Sequence, residues 1–229
     1  MIPYKSELTK EKLQLLKIGF LELREGSLYA VIGDLLGLIG LVEIVAVLGF
    51  PFDLNQGETL LEASASALLI GAAIALVGII ISLVGLIRWK NGGRYFREFD
   101  PINFSSAETG PALMLWSTLL VVFTLVVFIA GVLALSWGVV VTSLVIALVA
   151  SILVLIGAIL FGVFLLKIKD LQLLYGLSMP DFTIDAVLWF LGLVFQVLYL
   201  VAEILIYIHA GEALTAIIIK EKEIAGQES

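Results

Sequence analysis

The chain has 229 residues, of which 61% are hydrophobic and 14% are charged, and its formal net charge at pH 7 is −7. Soluble domains average about 45–50% apolar and about 25% charged residues, so this composition indicates a membrane protein with no room for a separate soluble domain. The absence of cysteine excludes disulfides, thiol nucleophiles, zinc–thiolate sites and cysteine-ligated iron–sulfur clusters.

The N-terminal segment, residues 1–26, mixes charged and apolar side chains. Its apolar positions recur at three- and four-residue spacing, which is one face of a helix: Leu13, Leu16, Phe20 and Leu23. Gly26 is a typical residue at which a helix ends. The pattern predicts an amphipathic helix that lies at the membrane surface. A solvated helix packed on the rest of the protein is the alternative.

Five apolar stretches follow, each of a length that can cross a hydrocarbon core as a helix. We predict spans at residues 28–50, 65–87, 112–135, 139–166 and 184–208. The third and fourth lie in one run without charge, and Ser136-Trp137-Gly138 predicts the tight turn between them. The fold class is therefore an all-α transmembrane bundle of five spans over residues 27–219. An N-terminal interfacial helix precedes it and a polar tail, residues 220–229, follows.

The distribution of basic residues predicts the orientation in the membrane. The N-terminal segment, residues 88–97 and the connector at 167–169 carry eleven lysines and arginines, whereas the loop at 51–64 and the turn near 137 carry none. The positive-inside rule therefore places the N-terminus in the cytoplasm and the C-terminus, five crossings later, outside. Lys220 and Lys222 would then be external, and residues 184–219 are too few for two full spans and a turn.

Small side chains form a seam along the second span, at alternating spacings of four and three residues: Gly71, Ala75, Gly78, Ser82 and Gly85. A shorter seam follows the first span: Gly33, Gly37 and Gly40. In lipid, such seams let helix backbones approach closely. We therefore expect the first two spans to pack together. The fourth span has a similar series: Ser143, Ala147, Ala150 and Gly157.

Acidic residues inside the spans are the candidates for function, because an ionisable side chain there costs about 2.5–3.5 kcal/mol on insertion scales. Asp34 lies near the inner end and is expected to reach the interface or Arg88. Glu43 and Glu203 lie in the outer half, and Gln196 shares a helix face with Glu203. If the two glutamates are buried together, they would bind a proton or a cation. Alternatively, each reaches the outer headgroups independently.

Chemical motifs are scarce. His209 is the only histidine, and it either binds a proton or metal together with Glu212 or simply ends a span. Gly33-Asp34 with Asp185 resembles intramembrane aspartyl chemistry, but the flanking motif is missing. No phosphate loop, nucleophile elbow or dinucleotide fingerprint occurs, so we predict no catalytic residue, no metal site, no cofactor and no enzyme activity. The basic residues are too few and too mixed with acids for a nucleic-acid partner.

Three short motifs carry a resemblance to a known family. They are the run from Gly85 to Asp100 with Ala107-Glu-Thr-Gly-Pro111 after it, the segment Leu23 to Tyr29, and Tyr175-Gly176. In these the chain resembles an archaeal family of uncharacterised multi-spanning membrane proteins, catalogued as domain of unknown function number 973. The resemblance covers most of the chain. It implies an archaeal cell membrane and several helices, and it brings no catalytic residues.

Two functional hypotheses remain. In the first, the protein is a structural or accessory membrane subunit whose small-residue seams pack against itself or against other subunits in the lipid. In the second, it is a small proton- or cation-coupled transporter or channel that uses the acidic residues of the outer half. The second hypothesis requires those acidic groups to converge on one polar path.

Overall fold

The computed structural model describes residues 8–49 and 58–227, so part of the loop predicted at 51–64 lies outside the described residues. The described residues form seven helices and no strand: α1 Lys10–Gly49, α2 Glu58–Phe99, α3 Ser105–Leu133, α4 Trp137–Ile168, α5 Asp170–Tyr175, α6 Thr183–Gly192 and α7 Val197–Gln227. Five of these, all except α5 and α6, are long and apolar enough to cross a membrane. The prediction of an all-α bundle with five membrane-spanning helices is confirmed, which indicates a multi-pass membrane protein.

Helix α1 is longer than predicted, because it continues through Gly26 without a stop. The apolar face predicted for the N-terminal segment exists, and it is buried inside the protein: Leu13, Leu16, Phe20 and Leu23 are each at most 1% exposed. That burial favours a helix packed on the rest of the protein over a helix resting on lipid. Helix α2 is also extended, since the loop predicted after Arg88 is helical as far as Phe99.

Helices α1 and α2 form an antiparallel hairpin with glycine facing glycine at every seventh residue. The four facing pairs are Gly19 with Gly92, Gly26 with Gly85, Gly33 with Gly78, and Gly40 with Gly71. A Cβ added at Gly78 would lie 2.7 Å from the carbonyl oxygen of Gly33. The backbones are therefore in direct contact, as small-residue seams allow in lipid.

Helices α3 and α4 form a second antiparallel hairpin with the same seven-residue repeat. Gly110 faces Gly157, where an added Cβ would meet the opposite carbonyl oxygen at 2.8–2.9 Å. Seven residues further on, the Ser117 hydroxyl donates a 2.7 Å hydrogen bond to the Ala150 carbonyl. The turn after α3 lies near the predicted position, but its left-handed residue is Leu135, with φ 52°, and Gly138 already belongs to α4.

The end of the bundle that carries the charged residues has an aromatic core. The rings of Trp89, Phe161 and Trp189 lie 4.7–5.5 Å apart between centroids. The stack continues from Phe161 through Phe164 to Phe96, whose ring also packs on Phe20. Aromatic pairs of this kind contribute about 0.5–1.5 kcal/mol each beyond their burial. This core joins α1, α2, α4 and α6 at one end of the molecule.

The last predicted span, residues 184–208, is not one helix. Helix α6 ends at Gly192, the chain turns over residues 193–196, and α7 runs back alongside α6. The reversal is shown by contacts between the start of α6 and the middle of α7, where Asp185 meets His209 at 2.9 Å. Further along α7, Glu221 forms a 2.9 Å ion pair with Lys17 of α1. The C-terminal helix therefore ends beside the start of α1, whereas we predict these two segments on opposite sides of the membrane.

Candidate functional site

A cavity of about 730 Å³ lies between the two hairpins and the α6–α7 turn. Trp89 and Trp189 line it next to the aromatic core. Its polar lining comes from five helices and the turn: Asp34, Ser82, Thr118, Ser151, Gln196, Tyr199 and Glu203. No lysine, arginine or histidine is among the described residues that line it. The cavity is thus mostly apolar, with two carboxyl groups and no base.

Asp34 enters the cavity from α1 and has one hydrogen-bond partner among the described residues. The Ser82 hydroxyl of α2 donates to its Oδ1 at 3.1 Å. The close approach at Gly33 brings Ser82 within reach, because a side chain at residue 33 would collide with the serine. The predicted partner, Arg88, is used elsewhere: its guanidinium forms ion pairs with Glu22 at 3.1 Å and Glu25 at 3.2 Å. The predicted Asp34–Arg88 pair is therefore wrong.

Glu203 enters the cavity from α7. The residue is 4% exposed, and its Oε2 atom has no hydrogen-bond partner among the described residues. The tight turn after α6 fixes where α7 begins: a Cβ at Gly192 would lie 2.8 Å from the Tyr199 ring, and that ring packs edge-on against Trp189 at 4.7 Å. The position of Glu203 therefore depends on the chain reversal.

Glu43, the partner that we predicted for Glu203, is not part of the cavity lining. Its side chain lies on the α1–α2 seam, where its Cβ is 3.2 Å from the Cβ position of Gly71. It is nine residues beyond Asp34, which corresponds to about 13 Å along a helix axis. The reversal at 193–196 is the physical reason for the difference, because it brings Glu203 back to the level of Asp34. The carboxyl groups that share a cavity are those of Asp34 and Glu203.

Gln196 lies in the turn before α7 and lines the cavity together with Glu203. We had placed both on one helix, so the shared surroundings arise from the turn and not from a common helix face. The other predicted site residues lie on the seams. Gly33, Gly40, Gly71, Gly78 and Gly85 face the opposite helix backbone, Ala75 faces Gly40, and Ser82 reaches Asp34. Gly37 lines the cavity, as Gly33 does, but it differs from these seam glycines because it has open space at its Cβ position.

His209 forms a second polar site with a partner that we did not predict. Its Nδ1 atom lies 2.9 Å from both carboxylate oxygens of Asp185, whose side chain is fully buried. Glu212, the predicted partner, is exposed. Asp185 contacts His209 and does not line the cavity that contains Asp34. The two aspartates are therefore not paired as intramembrane aspartyl chemistry would require. Within the described residues, no group of three histidine, aspartate or glutamate side chains is placed to hold a metal ion.

Sequence reasoning missed Thr118, Ser151 and Tyr199 as lining residues, and it missed the function of Ser82 as the donor to Asp34. Hydroxyl residues are common in membrane helices, so neither type nor spacing singled them out. One signal was present in the last apolar stretch, which at 184–219 is too long for one span and too short for two. The structure accounts for this length with the short helix α6, which is too short to cross a membrane, followed by the long helix α7.

Comparison of the chain with curated proteins and with solved structures finds no match. A family model does match, over residues 18–226, and it is described as a protein of unknown function, DUF973. The matched region includes both hairpins except the first eight residues of α1, together with the α6–α7 reversal and every polar residue of the cavity lining. This multi-pass helical protein therefore belongs to the DUF973 family.

Proposed function

We propose that this protein is a small proton- or cation-coupled transporter whose binding site is the cavity between the hairpins. The observation that carries the proposal is that Asp34 and Glu203 line one cavity whose described lining residues include no basic side chain. In a low-dielectric environment an unpaired carboxylate is strongly disfavoured. Each carboxylate in the cavity therefore requires either a bound proton or a bound cation. If a cation replaces the proton on the same carboxylate, transport of the cation is coupled to transport of the proton.

The architecture supplies units that can move relative to each other. Each hairpin packs through its own small-residue seam, with backbone contacts that leave little freedom inside the pair. Between the hairpins, the backbones of the described residues approach closely at α2 and α3, and the rings of α2 and α4 also pack together in the aromatic core. A change in the angle between two rigid hairpins would alter access to the cavity and leave both seams intact.

The hypothesis of a structural or accessory subunit rested on seams that are free to pack against another protein. Both seams are filled within the chain, α1 against α2 and α3 against α4. A partner subunit would have to use other surfaces. That hypothesis also gives no function to the two carboxyl groups in the cavity, and it predicts no cation flux.

We propose that the aromatic end of the molecule faces the cytoplasm. Every described lysine and arginine belongs to a segment at this end: the start of α1, the end of α2, the end of α4 with the connector after it, and the end of α7. The positive-inside rule favours that side for such a concentration of basic residues. Both the N-terminal and the C-terminal segments would then be cytoplasmic, because Lys17 and Glu221 are in contact.

The experiment is a flux measurement on the purified protein in liposomes that contain a pH-sensitive dye. A pH gradient is imposed, and sodium, potassium or the impermeant organic cation methyl viologen is added outside. We expect at least one cation to drive proton movement, with loss of that movement in Asp34→Asn and Glu203→Gln. Glu43→Gln is the matched control, since it removes a carboxylate outside the cavity, and its flux should persist. Absence of flux with all three cations, or equal flux in all variants, would contradict the proposal.

A further inference from the structure

We infer that the cavity is shaped for a lipophilic organic cation, an ammonium or phosphonium that carries aryl or alkyl groups. This inference rests on the proposed function and names its substrate class. The first argument is size. A cavity of about 730 Å³ falls within the range of about 300–1,000 Å³ that is typical of pockets for drug-sized molecules. A metal ion instead needs several oxygen ligands gathered at about 2.0–2.6 Å.

The second argument is the chemistry of the wall. Trp89 and Trp189 line the cavity, but their N–H groups point to partners inside the protein. Trp89 donates to the Leu23 carbonyl at 3.2 Å and to Ser27 at 3.1 Å. Trp189 donates to the Ala158 carbonyl at 2.8 Å. Both side chains are only 2–3% exposed, so they present a small area of carbon at the apolar end of the cavity. Indole rings also attract cations through their π-electrons.

The third argument is that three of the four hydroxyl donors in the cavity lining, all except that of Tyr199, are already in use. Ser82 donates to Asp34, Thr118 to the Met114 carbonyl, and Ser151 to the Ala147 carbonyl. These three side chains can therefore only accept hydrogen bonds from a ligand, through the lone pairs of their hydroxyl oxygens. Gln196 and Tyr199 can accept as well as donate. A ligand that carries positive charge suits this wall, whereas an anion would find few donors and two carboxyl groups.

The fourth argument is the state of Glu203. The residue is more than nine-tenths buried and lines the cavity, and its Oε2 atom has no hydrogen-bond partner in the part of the chain that the structure describes. A buried polar atom without a partner is disfavoured unless a ligand, proton or water satisfies it. A monovalent cation balances one carboxylate, so its arrival releases the proton that balanced that charge before. Binding of the organic cation should thus be accompanied by proton release.

The test uses tetraphenylphosphonium as the probe and the full chain purified in detergent. Binding is measured by titration calorimetry, and proton release is measured in weakly buffered solution. We expect binding with proton release, a loss of affinity of about tenfold or more in Glu203→Gln, and unchanged affinity in Glu43→Gln. Sodium in large excess should not displace the probe.

A second variant changes the space in the cavity and leaves its charge unchanged, so it tests whether a bulky ligand binds there. Gly37 lines the cavity and has no atom within 4 Å of its Cβ position, so Gly37→Leu fills the space without a clash in the seam. We expect this variant to fold and to bind tetraphenylphosphonium about tenfold or more weakly, because filling the cavity removes the room that a bulky ligand needs. Its thermal unfolding serves as the folding control.

The outcomes separate the substrate class from the proposed function. Displacement of the probe by sodium, or equal probe affinity in Gly37→Leu and the parent chain, would overturn the organic-cation class. Cation-driven flux that needs Glu203 would then still support a transporter of small cations. Failure of the probe to bind, together with absence of flux for sodium, potassium and methyl viologen, would contradict both proposals.

Discussion

Asp34 and Glu203 illustrate how single residues acquire a function from their surroundings. Both are carboxylic acids in apolar helices, as is Glu43, and composition alone does not distinguish the three. The cavity does, because it includes Asp34 and Glu203 and leaves Glu43 against the seam. Sequence reasoning identified all three as candidates on the cost of burying charge. It could not predict which two share a cavity, because the position of Glu203 along the bundle depends on the chain reversal at 193–196. That reversal contains no charged residue and no proline that would predict it.

The contact between His209 and Asp185 is expected to stabilise the fold. Removal of the imidazole in His209→Ala leaves a fully buried carboxyl group without its partner, which should lower the free energy of unfolding by about 1–3 kcal/mol. Thermal unfolding in detergent measures the effect. Glu212→Ala, an exposed change one helical turn further on, is the matched control and should be close to neutral. An equal loss in both variants would show that the contact contributes nothing specific.

Asp100, in the turn between α2 and α3, should make stability depend on pH. Burial alone would raise the pKa of this carboxyl group, but hydrogen bonds from Asn103, Ile102 and Tyr175 together lower it. A carboxyl group with a lowered pKa in the folded state stabilises the fold when ionised. That contribution is complete above the unfolded value of about 3.9 and is lost as the pH falls below it.

We therefore expect Asp100→Ala to be less stable than the parent chain at neutral pH by about 1 kcal/mol, the typical net contribution of an intramolecular hydrogen bond. The difference should shrink as the pH falls below about 4. Urea unfolding of the two proteins across that range measures it. A difference that stays constant down to the lowest pH would rule out the ionised carboxylate as its source.

The hairpins show how far a pattern can predict an element and where it fails. The small residues of the first two spans predicted a contact between α1 and α2, and the structure contains that contact. The same repeat extends to Gly19, Gly26 and Gly92, which we had not included. Glycine inside a helix costs about 1 kcal/mol relative to alanine, so an isolated Gly26 was interpreted as a helix stop. Facing glycines every seven residues offset that cost through backbone packing, which one helix considered alone cannot reveal.

Gly78→Leu should separate α1 from α2. Even a Cβ at this position lies 2.7 Å from the Gly33 carbonyl oxygen, and the remaining atoms of leucine have no space between the backbones. Overpacking of this kind typically costs about 1–3 kcal/mol or prevents folding. Ile80→Leu is the control on the same helix, because Ile80 is 54% exposed. Size-exclusion chromatography and thermal unfolding in detergent compare the two, and equal tolerance would mean that the seam is not a close contact.

At the scale of the whole molecule, the sequence predicted the number of long apolar helices but not the path of the chain after α4. Hydropathy reports how apolar a segment is and says nothing about its direction. The segment from 184 to 208 has the composition of one crossing, yet α6 is only ten residues long and α7 returns beside it. Contacts between distant residues, such as Lys17 with Glu221 and Arg24 with Tyr207, determine this arrangement.

Cysteine labelling tests the path of the chain, and the chain has no native cysteine to interfere. Single cysteines at Asn91, Lys222 and Leu135 are treated in intact cells with an impermeant maleimide. We expect positions 91 and 222 to be protected and position 135 to react, because the first two lie at the charged end and the third lies in the turn between α3 and α4. Labelling of both position 222 and position 135 from outside would show that α7 ends on the external side of the membrane.

The central claim is that Glu203 is a carboxyl group of the cavity that exchanges its proton for a cation. Carbodiimides that dissolve in lipid react with protonated carboxyl groups in apolar surroundings, and mass analysis of peptides identifies the modified residue. We expect labelling of Glu203 that decreases when tetraphenylphosphonium is present, while any labelling of Glu43 is unaffected by the cation. Labelling of Glu43 alone, or labelling of Glu203 that no cation reduces, would contradict the account.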